Sequence, residues 1–139
     1  MKFTAHEFAA ARYSVYSDSY AAAAAAEGNE IDCKGYRELL WIFAMGEFQA
    51  TATATFQGME CATSGGSFTD VTGALSSALA AGTADDEIYT GRIELMKRLR
   101  YQLMEYTIAN DAVEFSVIGV LLDGVELPAS QSNTNIFSV

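Results

Sequence analysis

The chain has 139 residues, of which half are apolar and 19% are charged, as expected for one folded domain with a single core rather than a disordered chain. Lysine and arginine total 8 against 18 aspartate and glutamate residues, which gives a formal net charge of −10. Because phosphate contacts supply most of the affinity of nucleic-acid-binding proteins, we expect no nucleic-acid partner for so acidic a chain.

The sequence also predicts no membrane association. The longest strongly apolar run, Leu39–Met45, is far shorter than the roughly 20 residues that span a bilayer. His6 and Glu7 interrupt the N-terminal apolar residues, so we expect no secretory signal. Cys33 and Cys61 have the spacing of neither a zinc site nor a redox motif. They are expected to be free thiols in a protein made in a reducing cytoplasm.

We divide the chain into three regions. An N-terminal arm covers residues 1–32, a body covers residues 33–122, and a C-terminal tail covers residues 123–139. The single proline, Pro128, lies in the tail, and no proline- or serine-rich linker divides the body. The sequence therefore predicts one folded body with an extension at each end.

The arm carries mixed local preferences. Thr4–Ala11 is compatible with a short helix, whereas the aromatic and β-branched residues of Arg12–Tyr20 favour a strand whose alternation is broken. Residues 21–26 are six consecutive alanines, and alanine has the highest helix propensity of any residue type. The run is nevertheless too short for a stable isolated helix.

The body shows the period-two alternation of β-strands. Arg37–Met45 predicts a dense apolar strand ending at Gly46, with Trp41 in the core. In Ala50–Gln57, alanines and Phe56 are expected on one face and threonines on the other. Further strands are predicted at Phe68–Val71, Glu87–Leu95, Tyr101–Ile108 and Val113–Val120, with turns at Thr63–Ser67, Asp85–Asp86 and Asn110–Asp111.

One segment, residues 92–105, permits a second interpretation. Ile93, Met96 and Leu99 lie near helical spacing, so an amphipathic helix is possible there. We favour strands because Tyr101–Ile108 is rich in β-forming residues and its neighbours are predicted strands. The predicted fold is mainly β, an antiparallel β-sandwich or jelly roll with an N-terminal arm and an extended C-terminal tail.

The sequence gives little indication of catalytic, metal or cofactor chemistry. The only histidine, His6, lies in the arm, whereas a nucleophile needs a base held rigidly beside it. Glycine-rich phosphate loops and the HExxH motif are absent. Asp85–Glu87 could offer oxygen ligands to Ca²⁺, but consecutive acids are more typical of a solvated turn. We therefore predict a protein that is not an enzyme and has no cofactor.

Three groups of residues are candidates for contact with a partner: the tyrosines Tyr13, Tyr16 and Tyr20, the cations Lys97, Arg98 and Arg100, and the apolar residues Ile136, Phe137 and Val139 near the end of the sequence. The tyrosines suit a binding face, although packing in a half-buried strand explains them equally. The cationic cluster could contact an acidic neighbour, such as another copy of the chain, or be a charged turn. The last group is expected to form a terminal strand on this domain or on a neighbour.

The segments that carry a family resemblance are Leu40–Phe43, Thr51–Glu60, Thr63–Val71, Thr90–Leu95 and Arg98–Tyr101. Over about residues 36–121, the chain resembles the capsid decoration (cement) proteins of tailed bacteriophages, which have a β-sandwich or jelly-roll body. The resemblance implies a virion protein, without catalysis, that binds the capsid exterior where copies of the major capsid protein meet. It also implies a homotrimer in which the arm, the tail or both reach neighbouring subunits.

Two other functions remain open at this stage. One is a carbohydrate-binding β-sandwich, which would need an exposed tryptophan or tyrosine platform, and the other is a head–tail connector or tail-tube component. The decoration-protein hypothesis predicts that deleting residues 123–139 abolishes capsid occupancy and leaves the body folded. Because each copy carries −10, self-association is expected to strengthen as salt screens the repulsion.

Overall fold

The computed structural model describes residues 8–122 and 135–139. These residues form strands β1 (Phe8–Tyr20), β2 (Ala23–Glu27), β3 (Ile31–Asp32), β4 (Glu38–Phe48), β5 (Thr53–Cys61), β6 (Thr69–Leu75), β7 (Leu79–Ala80), β8 (Ile88–Glu94), β9 (Tyr101–Ala109), β10 (Val113–Leu122) and β11 (Asn135–Ser138). A single turn of 3₁₀ helix, Leu95–Lys97, separates β8 from β9. The predicted mainly β class is confirmed.

The strands form two sheets. Sheet I is five-stranded in the order β1-β10-β4-β8-β11, and all its pairings are antiparallel except that of β11 with β8. Sheet II is six-stranded and is built on the central pair β5 and β9, with β2 and β3 beside β9 and with β6 and β7 beside β5. The two sheets enclose the hydrophobic core, as expected for a β-sandwich.

Aromatic side chains from both sheets meet in the core. Trp41 and Phe43 of β4 are fully buried, which confirms the position predicted for the tryptophan. Across the sandwich, the ring centroid of Phe56 on β5 lies 4.9 Å from that of Phe43 and 5.3 Å from that of Phe115 on β10. Such tilted and edge-on contacts stabilise a core beyond the burial of apolar area alone.

The alternation predicted for β5 is confirmed. Ala52, Ala54 and Phe56 are buried, and Thr53 and Thr55 are half-buried on the opposite face. The helical alternative for residues 92–105 is wrong. Only one 3₁₀ turn forms there, because β8 and β9 belong to different sheets and the connecting loop must cross from one layer to the other.

The short helix with which Thr4–Ala11 is compatible does not form in its described part, since β1 begins at Phe8; residues 4–7 lie outside the described residues. Pairing with β10 satisfies the β1 backbone, which outweighs the helix propensity of alanine. The register of β1 shifts between Tyr13 and Val15 and again before Asp18, which accounts for the broken alternation. Residues 8–32 therefore contribute three strands to the two sheets.

Ser14 joins β1 to sheet II. Its buried hydroxyl accepts a hydrogen bond from the Met104 backbone N–H at 3.1 Å and donates one to the Asn29 carbonyl at 3.0 Å. Gly28 lies against this contact, and a Cβ there would come within 2.6 Å of the Ser14 carbonyl oxygen. The edge strand of one sheet is thus fixed to the backbone of the other.

Candidate interaction surfaces

Two loops meet at one end of the sandwich, the β3–β4 loop (residues 33–37) and the β8–β9 loop (residues 95–100). The Cys33 N–H donates to the Arg100 carbonyl at 2.9 Å, and the Leu95 N–H donates to the Arg37 carbonyl at 2.8 Å. A groove of about 310 Å³ lies between the loops. We refer to these two loops together as the basic end.

Five of the chain's lysines and arginines lie at the basic end: Lys34, Arg37, Lys97, Arg98 and Arg100. Arg100 binds the Asp32 carboxylate through two hydrogen bonds of 2.8 Å, and Arg98 lies 3.9 Å from the Glu60 carboxylate. The other three cations form no ion pair with any residue in the described ranges. The cationic cluster predicted from sequence is therefore extended by the facing loop.

The tip of the basic end is apolar and well anchored. Met96 is 77% exposed and Leu99 is 43% exposed. The Leu99 N–H donates to a Glu60 carboxylate oxygen at 3.0 Å, and its carbonyl accepts a hydrogen bond from the buried Gln102 amide at 2.9 Å. These bonds fix Leu99, and backbone hydrogen bonds of Leu95 with Arg37 and Arg98 fix the turn that carries Met96. Exposed apolar side chains beside cations suit a partner surface with carboxylates and an apolar recess.

Three pKa values are shifted strongly at or beside the basic end, and the hydrogen bonds to Asp32 raise that of Arg100. The hydrogen bonds from Arg100, reinforced by one from the Lys34 backbone N–H, lower the pKa of Asp32 to about 2. Burial, together with the nearby Asp32 charge, raises the pKa of the Cys33 thiol to about 12. Cys33 and Cys61 are both buried and unbonded to each other. Cys33 is therefore protonated and a poor nucleophile at neutral pH.

The opposite end of the sandwich is acidic. Its loops, residues 49–52, 81–87 and 110–112, contain no lysine or arginine and expose Asp86, Glu87 and Asp111. We call these three loops the acidic end. The two ends of the molecule therefore differ in charge, although the chain as a whole is acidic.

Asp85 has a structural role at the acidic end. Its carboxylate accepts hydrogen bonds from the backbone N–H groups of Phe48 and Gly82, which lower its pKa. The carboxylate thereby ties the β7–β8 loop to the end of β4. Across residues 8–122 and 135–139, no group of three or more potential ligands is placed to hold a metal ion.

The three candidate tyrosines divide between surface and core. Tyr13 and Tyr16 are 46% and 63% exposed, with ring centroids 5.5 Å apart. Tyr20 instead packs on Phe115, at 4.7 Å between centroids, and its hydroxyl donates to the Tyr16 carbonyl at 2.7 Å. Desolvation raises the pKa of Tyr20. The structure therefore leaves only the first two tyrosines available to a partner.

The apolar residues near the end of the sequence lie on their own domain. Ile136 is within β11, Phe137 is 7% exposed in the core, and Val139 packs against the core. The Glu94 N–H donates to the Val139 carbonyl at 2.8 Å, and the Val139 N–H donates to Arg92. Of the two predictions for this segment, docking within the domain is the one observed.

Sequence reasoning missed the outer face of sheet I. On β4, Leu40, Ile42 and Ala44 alternate with the core residues and point away from the core, where they are half-buried. On β10, Ile118 and Val120 lie directly opposite Ile42 and Leu40. The available signal was that Leu39–Met45 is apolar at every position, which is typical of a strand covered on both faces.

No known protein family matches the chain, and no curated protein shows significant similarity to it. Within the described ranges we find no helix with the length and apolarity needed to traverse a bilayer. His6 lies outside the described residues.

Proposed function

We propose that this is a structural virion protein that binds the exterior of a bacteriophage head, next to the major capsid protein, and cements neighbouring capsid subunits. The sequence resemblance supports this proposal, and so does the observed β-sandwich, which is the fold that the resemblance implies. The observation that carries it is the basic end, because an otherwise acidic molecule places five of its eight cations and the most exposed methionine of the described residues together on one anchored pair of loops.

The charge distribution gives the proposed contact an orientation. A partner surface with carboxylates would attract the basic end and repel the acidic end, so complementary charge would orient each encounter. Met96 and Leu99 would then enter an apolar recess, where excluding water adds affinity. The basic end faces the shell and the acidic end faces solvent in this arrangement.

Cementing does not require a strong single contact. If several copies associate, each copy binds a capsid subunit through a modest interface. Once one copy is bound, the others are held near their own sites at a high effective concentration. A homotrimer, as the family resemblance implies, would bridge the capsid subunits that meet beneath it. The loss of one contact then weakens attachment far more than its own energy suggests.

Co-sedimentation with purified expanded heads that lack the protein tests the proposal. The wild type is expected to co-sediment at saturable stoichiometry. Lys97→Glu is expected to weaken attachment by at least about tenfold, since it removes a favourable charge and adds an unfavourable one. Arg12→Glu is the matched control. It changes the net charge equally, on an exposed β1 residue away from the basic end, and is expected to bind normally.

The outcomes distinguish the parts of the proposal. A wild-type protein that stays in the supernatant would reject the head-binding function. If Lys97→Glu attaches to heads as well as the wild type does, the basic end is not the contact. If Lys97→Glu and Arg12→Glu weaken attachment equally, the effect comes from the net charge of the protein and not from the basic end.

The exposed pair Tyr13 and Tyr16 favours one alternative, a carbohydrate-binding module, because tyrosine rings can stack on sugars. The two ring planes are tilted by 41°, so they form no flat platform together, and Trp41 is buried. A glycan array separates the functions. Binding to a defined glycan that Tyr16→Ala abolishes, with no attachment to heads, would support the alternative.

A further inference from the structure

The outer face of sheet I carries an apolar surface that crosses the central strands β4 and β10 and the edge strand β1. Ile42 lies opposite Ile118, and Tyr13 on the edge strand lies opposite Ile118 on its other side. Leu40 and Val120 form a second apolar pair in the neighbouring row. No charged residue lies within these two pairs. At the border, the guanidinium of Arg92 is paired with the carboxylate of Glu38, so its charge is compensated.

The outer face of sheet II differs in chemistry although the strand geometry is the same. There Thr55 lies opposite Thr107, and Gln57 lies opposite Glu105. These side chains suit contact with water, which is the usual arrangement for the exposed side of an antiparallel sheet. Leu75 on β6, opposite Gln57, is 57% exposed, so the contrast with sheet I holds for the central strands β5 and β9.

We propose that the outer face of sheet I binds a second copy of this chain. Each copy carries −10, so two copies repel over most of their surface and can approach with least repulsion where charge is absent or compensated. An apolar face is also complementary to itself, which lets the same patch serve both copies in a two-fold contact or contribute to a closed ring. Exposed Tyr13 and Tyr16 extend the patch at its edge.

The size of the patch sets the strength of this contact. From the strand spacing and the rise per residue, the two apolar rows on β1, β10 and β4 span roughly 200 Å², whereas a stable interface buries about 800 Å² on each partner. The association of free copies is therefore weak and concentration-dependent. It becomes effective when a shared surface holds the copies together. The inference deepens the self-association in the proposed function, but its test uses the isolated chain.

Sedimentation velocity over a wide concentration series tests the proposal. The wild type is expected to shift reversibly from monomer to oligomer. The double variant Ile42→Thr with Ile118→Thr replaces an apolar pair on the outer face of sheet I by threonines, like the pair Thr55 and Thr107 of sheet II. Threonine is also β-branched and therefore suits a strand. The double variant is expected to raise the dissociation constant by about 100-fold, or about tenfold for each side chain. The matched control, Thr55→Val with Thr107→Val, is expected to leave it unchanged.

Tyr13→Ser with Tyr16→Ser provides a second variant whose exposed side chains contribute little to folding. It is expected to weaken association at least tenfold while the thermal unfolding midpoint stays near that of the wild type. A wild type that is monomeric at every concentration would overturn the proposal. So would an oligomer that survives both the threonine and the serine substitutions. Because no head is present, failure to bind heads leaves this result unaffected.

Discussion

At the scale of single residues, the pair Asp32 and Arg100 stabilises the basic end. Two hydrogen bonds of 2.8 Å join the guanidinium to the carboxylate, and the geometry is the bidentate one in which arginine binds most strongly. The pair connects β3 to the loop that presents Met96. Since both side chains are substantially exposed, solvent screens the pair, and its main effect is to fix the loops relative to each other.

This pair predicts a local pH dependence. The pKa of Asp32 is lowered from its usual 3.8 to about 2 in the folded protein. A lowered carboxyl pKa stabilises the fold above the unfolded-state value, and the contribution is lost as pH falls from about 4 to about 2. Asp32→Asn should therefore be slightly less stable than the wild type at neutral pH, and the difference should vanish near pH 2. Thermal unfolding across this range measures it, and a constant difference would contradict the assignment.

At the scale of elements, β11 shows how a short strand is held by one side chain. Phe137 is buried beside Phe43, with ring centroids 6.1 Å apart. It lies over Gly91 of β8, where a Cβ would come within 2.5 Å of the ring. The glycine thus makes room for the phenylalanine. This packing also means that deleting residues 123–139 would remove a core side chain, so we no longer expect the deletion to leave the body unaffected.

A double-mutant cycle tests this packing. Phe137→Ala should destabilise the fold by about 3 kcal/mol because it leaves a cavity. Gly91→Ala should cost about 1–3 kcal/mol because the new methyl group meets the ring. The double variant should cost much less than the sum, since the shortened residue 137 removes the clash. Urea unfolding measures all three, with the exposed Ser138→Ala as control; additive costs would show that the two positions do not touch.

Elements differed in how far the sequence could predict them. The alternation at the start of β5 was sufficient because in residues 50–55 one parity is all alanine and the other all threonine. For Phe8–Ala11 the local preference of alanine favoured a helix, whereas the pairing with Leu122 and its neighbours, more than 100 positions away, determined a strand. Long-range pairing of this kind leaves no local signal. The same limitation hid the facing loops of the basic end, whose cations are far apart in sequence.

At the scale of the whole molecule, charge and apolar surface are separated. Five of the eight cations lie at the basic end, the loops of the acidic end contain carboxylates but no cation, and the outer face of sheet I carries the apolar patch. The composition reports only the total of −10. The sequence showed the cluster Lys97, Arg98 and Arg100 and the unbroken apolar run Leu39–Met45, but the facing cations Lys34 and Arg37 and the residues opposite β4 could be assigned only from the structure.

This separation predicts opposite salt responses for the two proposed contacts. Raising NaCl from about 0.1 M to about 1 M shortens the screening length from about 10 Å to about 3 Å. Screening should weaken attachment of the basic end to an acidic shell, because that contact depends on attraction between opposite charges. It should strengthen contact between copies through sheet I, because the contact itself is apolar and the remaining charges repel.

Parallel measurements on one preparation test this prediction. Co-sedimentation with heads should fall as salt rises, while sedimentation velocity of the free chain should show more oligomer. In Lys97→Glu the first response should flatten and the second should persist, since that residue lies outside sheet I. If both contacts responded to salt in the same direction, one surface would be mediating both, and the assignment of separate surfaces would be wrong.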